Sequence, residues 1–235
     1  MLVHTLNYMN NITRPEITPA ILPRDFAEIT EKIELIRGFT KAVQIDICDG
    51  HFVPSFTWPY KKHDDSYEKM LHEEEGLPDW QDIDYEFDLM VDKPEEVVDN
   101  WVIVGASRIV IHAESKGDMA KAVKKLEGKV EIGLAYNIDT EVMIPAGVDE
   151  NSIGYIQLMG IDHVGFQGQP FDERVFDKIK TVKAKYPNIP ISIDGGVSLE
   201  TAPKLIAAGA SRLIVGSAIF NDENPLDAVM KFKSL

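Results

Sequence analysis

The segment Val43-Gln44-Ile45-Asp46-Ile47-Cys48-Asp49-Gly50-His51-Phe52-Val53-Pro54 decides the fold. Its first half alternates, with Val43, Ile45 and Ile47 on one face and Gln44, Asp46 and Cys48 on the other, which is the period of a buried strand. Asp49-Gly50 then breaks the strand and starts a loop. A carboxylate inside so apolar a run is costly to bury without partners. Two explanations stand: an ion-paired or capping Asp at a strand end, or a working carboxylate at the mouth of a parallel sheet, where ligand sites of α/β folds collect.

Ile189–Val197 repeats the pattern, an apolar run ending in Asp194 and then Gly195-Gly196. Two distant strands thus each deliver an aspartate, Asp46 and Asp194, to their C-terminal ends. Paired carboxylates facing one substrate can act as base and acid when their surroundings push their pKa values apart.

Outward from these two, strands are expected at Ile17–Leu22, Tyr85–Val91, Arg108–His112, Val130–Tyr136, Tyr155–Ile161 and Arg212–Val215. Helical spacing marks Phe26–Arg37, Ser66–Glu74, Lys93 to about Val104, Asp118–Leu126, a short turn of helix around Glu141, Phe171–Tyr186, Leu199–Ala208 and Pro225–Phe232. Counting Val43–Ile47 and Ile191–Asp194, eight βα units result, the number that closes a (β/α)8 TIM barrel. An open doubly wound sheet gives no reason for so many units. No linker or shift in composition interrupts residues 1–235, which read as one domain with an acidic insertion around 60–84, taken as solvated surface rather than a lid or partner contact.

The 235 residues, 44% of them apolar, suffice for a sizeable core. One cysteine, Cys48, excludes an internal disulfide and suits a reducing compartment. No apolar run reaches the ~20 residues that span a bilayer, and Met1–Arg14 lacks the basic flank and apolar core of a signal peptide. A cytoplasmic protein without a membrane partner is expected. A net charge of −15 argues against a nucleic-acid partner. It also repels anionic small molecules, so a phosphorylated ligand would need a local cradle of backbone N–H groups. Glycines Gly165 and Gly168, Gly195 and Gly196, and Gly216 with Ser217 follow the last three strands, where barrels of this type often hold phosphate.

Asp46–Pro54, Leu89-Met90-Val91, Gly165-Phe166-Gln167-Gly168-Gln169, Ile193-Asp194-Gly195-Gly196 and Gly216–Phe220 resemble, in order, the signature segments of ribulose-phosphate 3-epimerases. The resemblance runs from about Pro19 to Phe220 and implies a barrel that inverts C3 of a pentulose 5-phosphate through an enediolate. Asp46 and Asp194 would be the acid/base pair, each serving one face of the carbon. Met90 and Met159 match sulfur-bearing positions that line the family's pocket, and His51 and His112 also match family positions. The resemblance further implies a homo-oligomer, although no stretch fixes an interface.

The departures bear on the chemistry. Such epimerases typically bind a divalent metal with two histidines and the two aspartates; Gln44 and Asp88 stand where the histidines are expected. The remaining set, Gln44, Asp46, Asp88 and Asp194, is all oxygen and suits magnesium or manganese better than zinc or iron. Binding no metal at all is the open alternative, and one carboxyl would then have to be protonated. Two other functions compete: a non-catalytic sugar-phosphate binder, and an epimerase or lyase acting on another sugar phosphate. Related lyase barrels carry Asp-x-Lys-x-x-Asp, and Cys48 occupies the lysine's place, which counts against that chemistry.

Overall fold

The structure is a computed structural model that describes residues 14–61 and 65–235. The expected absence of a leader at the N-terminus, and the roles of Lys62, His63 and Asp64 in the acidic stretch, lie outside the described residues. Eight parallel strands close a barrel in chain order: β1 (Glu16–Ile21), β2 (Ala42–Cys48), β3 (Asp84–Met90), β4 (Ala106–His112), β5 (Glu131–Tyr136), β6 (Tyr155–Met159), β7 (Ile191–Asp194) and β8 (Arg212–Val215). Helices α1 (Phe26–Ile36), α2 (Ser66–Leu71), α3 (Pro94–Val104), α4 (Met119–Leu126), α5 (Arg174–Lys185), α6 (Ala202–Ala208), α7 (Ser217–Phe220) and α8 (Pro225–Lys233) complete the fold. Among the described residues no helix is long and apolar enough to cross a membrane.

The alternation in β2 sorts side chains between two cores. Val43, Ile45 and Ile47 join Ile29, Ile33 and Ile36 of α1 in the apolar layer between strands and helices. Each fully buried aliphatic side chain there contributes ~1.5–3 kcal/mol of transfer free energy. The register pairs Gln44 with Glu86, Asp46 with Asp88 and Cys48 with Met90, so the other face of β2 enters the barrel beside its counterparts on β3.

The barrel interior is therefore polar. At its N-terminal end Arg212 donates to Glu86 at 2.6 Å and to Glu16 at 3.2 Å, and Tyr155 donates to Glu86 at 2.8 Å. The Arg212 guanidinium lies 4.2 Å from the Tyr155 ring centre. This charged plug closes the bottom and leaves the C-terminal end as the open one.

One expected helix is absent: residues 141–149 are irregular, and only a 3-10 turn, Glu150–Ser152, follows. Pro145 supplies no N–H and biases Ile144 away from helical geometry, which ends any helix begun at Glu141. The described residues of the acidic stretch are mostly surface, as expected, but anchored. Met70, Leu77 and Ile83 are buried, while Glu73, Glu74 and Glu75 are exposed beside the starts of β3 and β4. That is the end of the barrel away from Asp46, so residues 73–84 do not cover the mouth.

Candidate active site

Asp46 projects from the C-terminal half of β2, held by its own backbone. Thr57 Oγ1 donates to the Asp46 carbonyl and accepts the Cys48 N–H, both at 2.8 Å. Asp88 stands beside it on β3, and Asp194 comes from the end of β7. The three carboxylates each offer an oxygen within 4.8 Å of the others. The next aspartate of the motif, Asp49, does turn work. It accepts the N–H groups of His51 and Phe52 with one oxygen and that of Asp92 with the other, all at 2.8 Å.

Two glutamines lie beneath the trio with no exposed surface. Gln44 Nε2 is 2.8 Å from Asp46 Oδ1 and 2.8 Å from Asp194 Oδ2. Gln157, from β6, sends its Nε2 to Asp88 Oδ2 at 3.1 Å and to Asp194 Oδ2 at 3.4 Å. The outer end of the chain is His112, whose Nε2 lies 3.0 Å from Asp88 Oδ1. Its Nδ1 is 3.7 Å from Glu114, too far for a hydrogen bond, so Glu114 acts on it through charge.

Burial pushes the Asp46 carboxyl well above the ordinary range, and the charges of Asp194 and Asp88 push it further. Burial raises Asp194 too, with Asp88 next in weight and the Gln44 hydrogen bond opposing. His112 moves so as to favour its own charge. Burial disfavours the imidazolium, but Asp88 and Glu114 outweigh it and raise the group to about 10. The centre thus joins a cationic histidine to carboxyls that tend to hold a proton.

The residues around the trio form a cleft at the mouth: Ala20, Met90, Met159, Phe166, Gly196 and Ser217 among them, with Gly165, Gly168, Gly195 and Gly216 in the same wall. Met90 and Met159 are buried with Cys48, Val53 and Val164 as an apolar wall. Gly195 and Gly196 have φ +91° and +67°, and a Cβ on Gly196 would stand 2.8 Å from the Phe171 backbone. Ser55 Oγ donates to the Gly165 carbonyl at 3.0 Å, tying the loop after β2 to the glycine loop after β6. α7 begins at Ser217, directly after Gly216, so its first N–H groups have no partner within the helix.

The structure brings Asp46, Asp88, Asp194, Gln44, both methionines and all the glycine turns to one end of the barrel. It leaves His51 out: that side chain is exposed on the loop after β2 and is not part of the cleft wall, because Asp49 turns Phe52 inward against His112 instead. Sequence reasoning missed Gln157 as a partner of the carboxylates. Its signal was present, a glutamine on the Tyr155-Gln157-Met159 face of a strand.

A divalent ion fits these residues. Three clustered carboxylates need a cation or protons; Gln44, expected among the ligands, lies beneath them with its nitrogen rather than its carbonyl on Asp46 and Asp194.

Fold and site define an enzyme barrel with an acidic centre facing glycine turns at its C-terminal mouth. The sequence of the Bacillus subtilis (strain 168) ribulose-phosphate 3-epimerase is 29% identical over 225 residues, spanning 93% of this chain and 98% of that protein. That of Aquifex aeolicus (strain VF5) is 29% identical over 231 residues, spanning 93% and 96%. Among solved structures, the KGPDC of Streptococcus mutans superposes with a TM-score of 0.65 at 14% identity, covering 94% of this chain and 96% of that one. The 3-hexulose-6-phosphate synthase of Salmonella typhimurium gives 0.64 at 13% identity, covering 93% and 97%. At those identities the likeness is one of fold. The model of the Ribulose-phosphate 3 epimerase family matches residues 16–220, and the chain belongs to that family. Membership makes it an enzyme of the isomerase class.

Proposed function

We propose that this chain interconverts D-ribulose 5-phosphate and D-xylulose 5-phosphate, with Asp46 and Asp194 as the two proton-transfer groups. The observation that carries the reading is the Gln44 carboxamide, whose nitrogen bridges one oxygen of each. Bound in this way, each carboxyl keeps its second oxygen free of Gln44 for the substrate. One carboxylate takes the C3 proton and the electron pair moves onto the C2 oxygen, giving an enediolate. The other, protonated, returns a proton to the opposite face and inverts C3. One group must begin charged and the other neutral, and the raised carboxyls of Asp46 and Asp194 support that division.

The phosphate belongs with the glycine turns after β6, β7 and β8 and the start of α7, where backbone N–H groups compensate the negative field of the chain. Asp46, Asp88 and Asp194 would hold a hard divalent ion, magnesium or manganese in preference to zinc or iron. Such an ion would supply positive charge to the enediolate.

Two features argue against a lyase. Cys48 is fully buried, with burial raising its thiol to about 12, and a thiol carries no positive charge in either protonation state, so it cannot replace the cationic lysine of lyase barrels. Among the described residues the trio also has no lysine partner.

The test is NMR of D-ribulose 5-phosphate in deuterated water with purified protein, with EDTA and with added Mg2+ or Mn2+. Deuterium at C3 together with xylulose 5-phosphate is the expected result. Tight binding of the sugar phosphate with no exchange under any condition would instead identify a binder that lacks the chemistry.

A further inference from the structure

We propose that Gln157 is a positioning residue for one half of this proton transfer: its carboxamide aligns Asp194 through a hydrogen bond that Asp46 does not receive. The proposal rests on the reading of Asp46 and Asp194 as the two proton-transfer groups.

The geometry is asymmetric. Asp194 Oδ2 accepts from two amides, Gln44 at 2.8 Å and Gln157 at 3.4 Å, whereas Asp46 Oδ1 accepts from Gln44 alone among the described residues. Gln157 also holds Asp88 Oδ2 at 3.1 Å, so Asp194 is tied through it to the Asp88–His112 pair. Asp46 has no such second tether. The orientation of the amide follows from chemistry. Its Oε1 faces Ser192 Oγ at 3.4 Å, and the reverse orientation would aim a carbonyl at two carboxylates. Gln157 is fully buried and does not line the cleft, so it acts on substrate only through Asp194 and Asp88.

A buried glutamine could instead be no more than a filled interior position, and the two roles separate by experiment. In a two-group epimerase each epimer presents its C3 proton to a different aspartate. Loosening Asp194 while Asp46 keeps its Gln44 contact should slow abstraction from one epimer. From the other it should slow delivery of the proton to the opposite face, so that the enediolate persists, the protium held by Asp46 exchanges with solvent, and the enediolate returns to starting material carrying deuterium.

Gln157→Met keeps the length of the side chain and removes the donor. Initial rates of deuterium entry at C3 and of inversion would be measured separately from D-ribulose 5-phosphate and from D-xylulose 5-phosphate. The expected result is asymmetric. For one epimer, exchange and inversion both fall tenfold or more; for the other, the ratio of exchange to inversion rises by a similar factor. KM should change less than twofold for both. Inversion must fall equally in both directions because the equilibrium is unchanged; equal losses of exchange from the two epimers, or no loss, would overturn the assignment. Should Gln157→Met not fold, Gln157→Asn, which withdraws the amide by one methylene, reads the same ratios. Absence of exchange in the unaltered protein with either epimer would refute the epimerase reading itself, an outcome distinct from symmetric loss in the variant.

Discussion

His112 and Asp88 form a buried ion pair, Nε2 to Oδ1 at 3.0 Å, with neither side chain more than 1% exposed. The pair sits at the end of a polar chain that runs from Asp46 through Gln44, Asp194 and Gln157 to Asp88. Its positive end offsets part of the repulsion among three carboxylates. Removing one member of a buried pair leaves an uncompensated charge and costs ~3–5 kcal/mol.

The pair makes stability depend on pH in a defined window. His112 is raised in the folded protein to about 10 from an ordinary 6.5. Its contribution is complete below about 6.5, declines above it, and is gone once pH passes about 10. Glu114, lowered to about 2 despite burial because the charge of His112 and a neighbouring hydrogen-bond donor favour its ionised form, behaves oppositely. Its contribution is present above 4.5 and disappears as pH falls toward 2. The stability difference between the unaltered protein and His112→Asn, from denaturant melts at several pH values, should be nearly constant near pH 5–6 and shrink steadily toward pH 10. A difference that grows with pH would contradict the charged histidine.

Asp46→Asn should trade activity for stability. A carboxyl held above its unfolded pKa of roughly 4 penalises the folded state once pH exceeds that value, and Asp46 is so held by burial and by its two neighbours. The amide keeps an acceptor for Gln44 and removes the charge. Turnover should fall ~10²–10⁴-fold with the loss of a proton-transfer group. Thermal melting at pH 8 should rise by ~2–4 °C for each kcal/mol relieved, while at pH 4 the two proteins should melt together. Full activity in Asp46→Asn, or in Asp194→Asn, would remove these residues from the reaction.

The barrel was legible because its strands obey a period of two and end in punctuation. Val43-Gln44-Ile45-Asp46-Ile47 and Ile191–Asp194 show both faces of the strand and the residue at its mouth. Local pattern failed where one residue overruled it: Pro145 removes the helix that the surroundings of Glu141 suggest. In the site, Asp88 and Gln44 came only from the resemblance, as the positions where the family's histidines are expected, whereas Asp46 and Asp194 could be read from strand ends. The joining of Asp88 to His112 and of Gln157 to Asp194 could not, because strand register decides which side chains meet across a barrel. His51 misled for the converse reason: it belongs to the motif, yet its loop is turned by Asp49 so that Phe52 takes the inward place.

Gly196→Ala probes the phosphate cradle. A Cβ there meets the Phe171 Cα at 2.8 Å, and the φ of +67° adds ~1–3 kcal/mol of backbone strain for a side-chain-bearing residue. The turn should move away from the anion position while the carboxylates stay in place. KM for a sugar phosphate should rise about tenfold or more, since 1.4 kcal/mol is a factor of ten, with kcat little altered. Inorganic phosphate should also lose potency as a competitive inhibitor. An unchanged KM would place the phosphate elsewhere in the cleft.

The donor set predicts which ion serves the site. Carboxylate oxygens favour hard cations, whereas imidazole favours zinc. Protein stripped with EDTA and titrated calorimetrically should bind Mn2+ and Mg2+, and Asp46→Asn, Asp88→Asn or Asp194→Asn should each weaken Mn2+ binding. Placing histidine at the two divergent positions together, Gln44→His with Asp88→His, should reverse the preference and raise zinc affinity relative to Mn2+. His112 sharpens the test, because Asp88→His would set two imidazoles against each other and remove the partner that holds His112 charged. The double variant should therefore show, besides tighter zinc, an imidazole titrating well below the value of about 10 that His112 has in the unaltered protein. No Mn2+ binding by the unaltered protein would leave the carboxylate trio to protons and to the amides of Gln44 and Gln157.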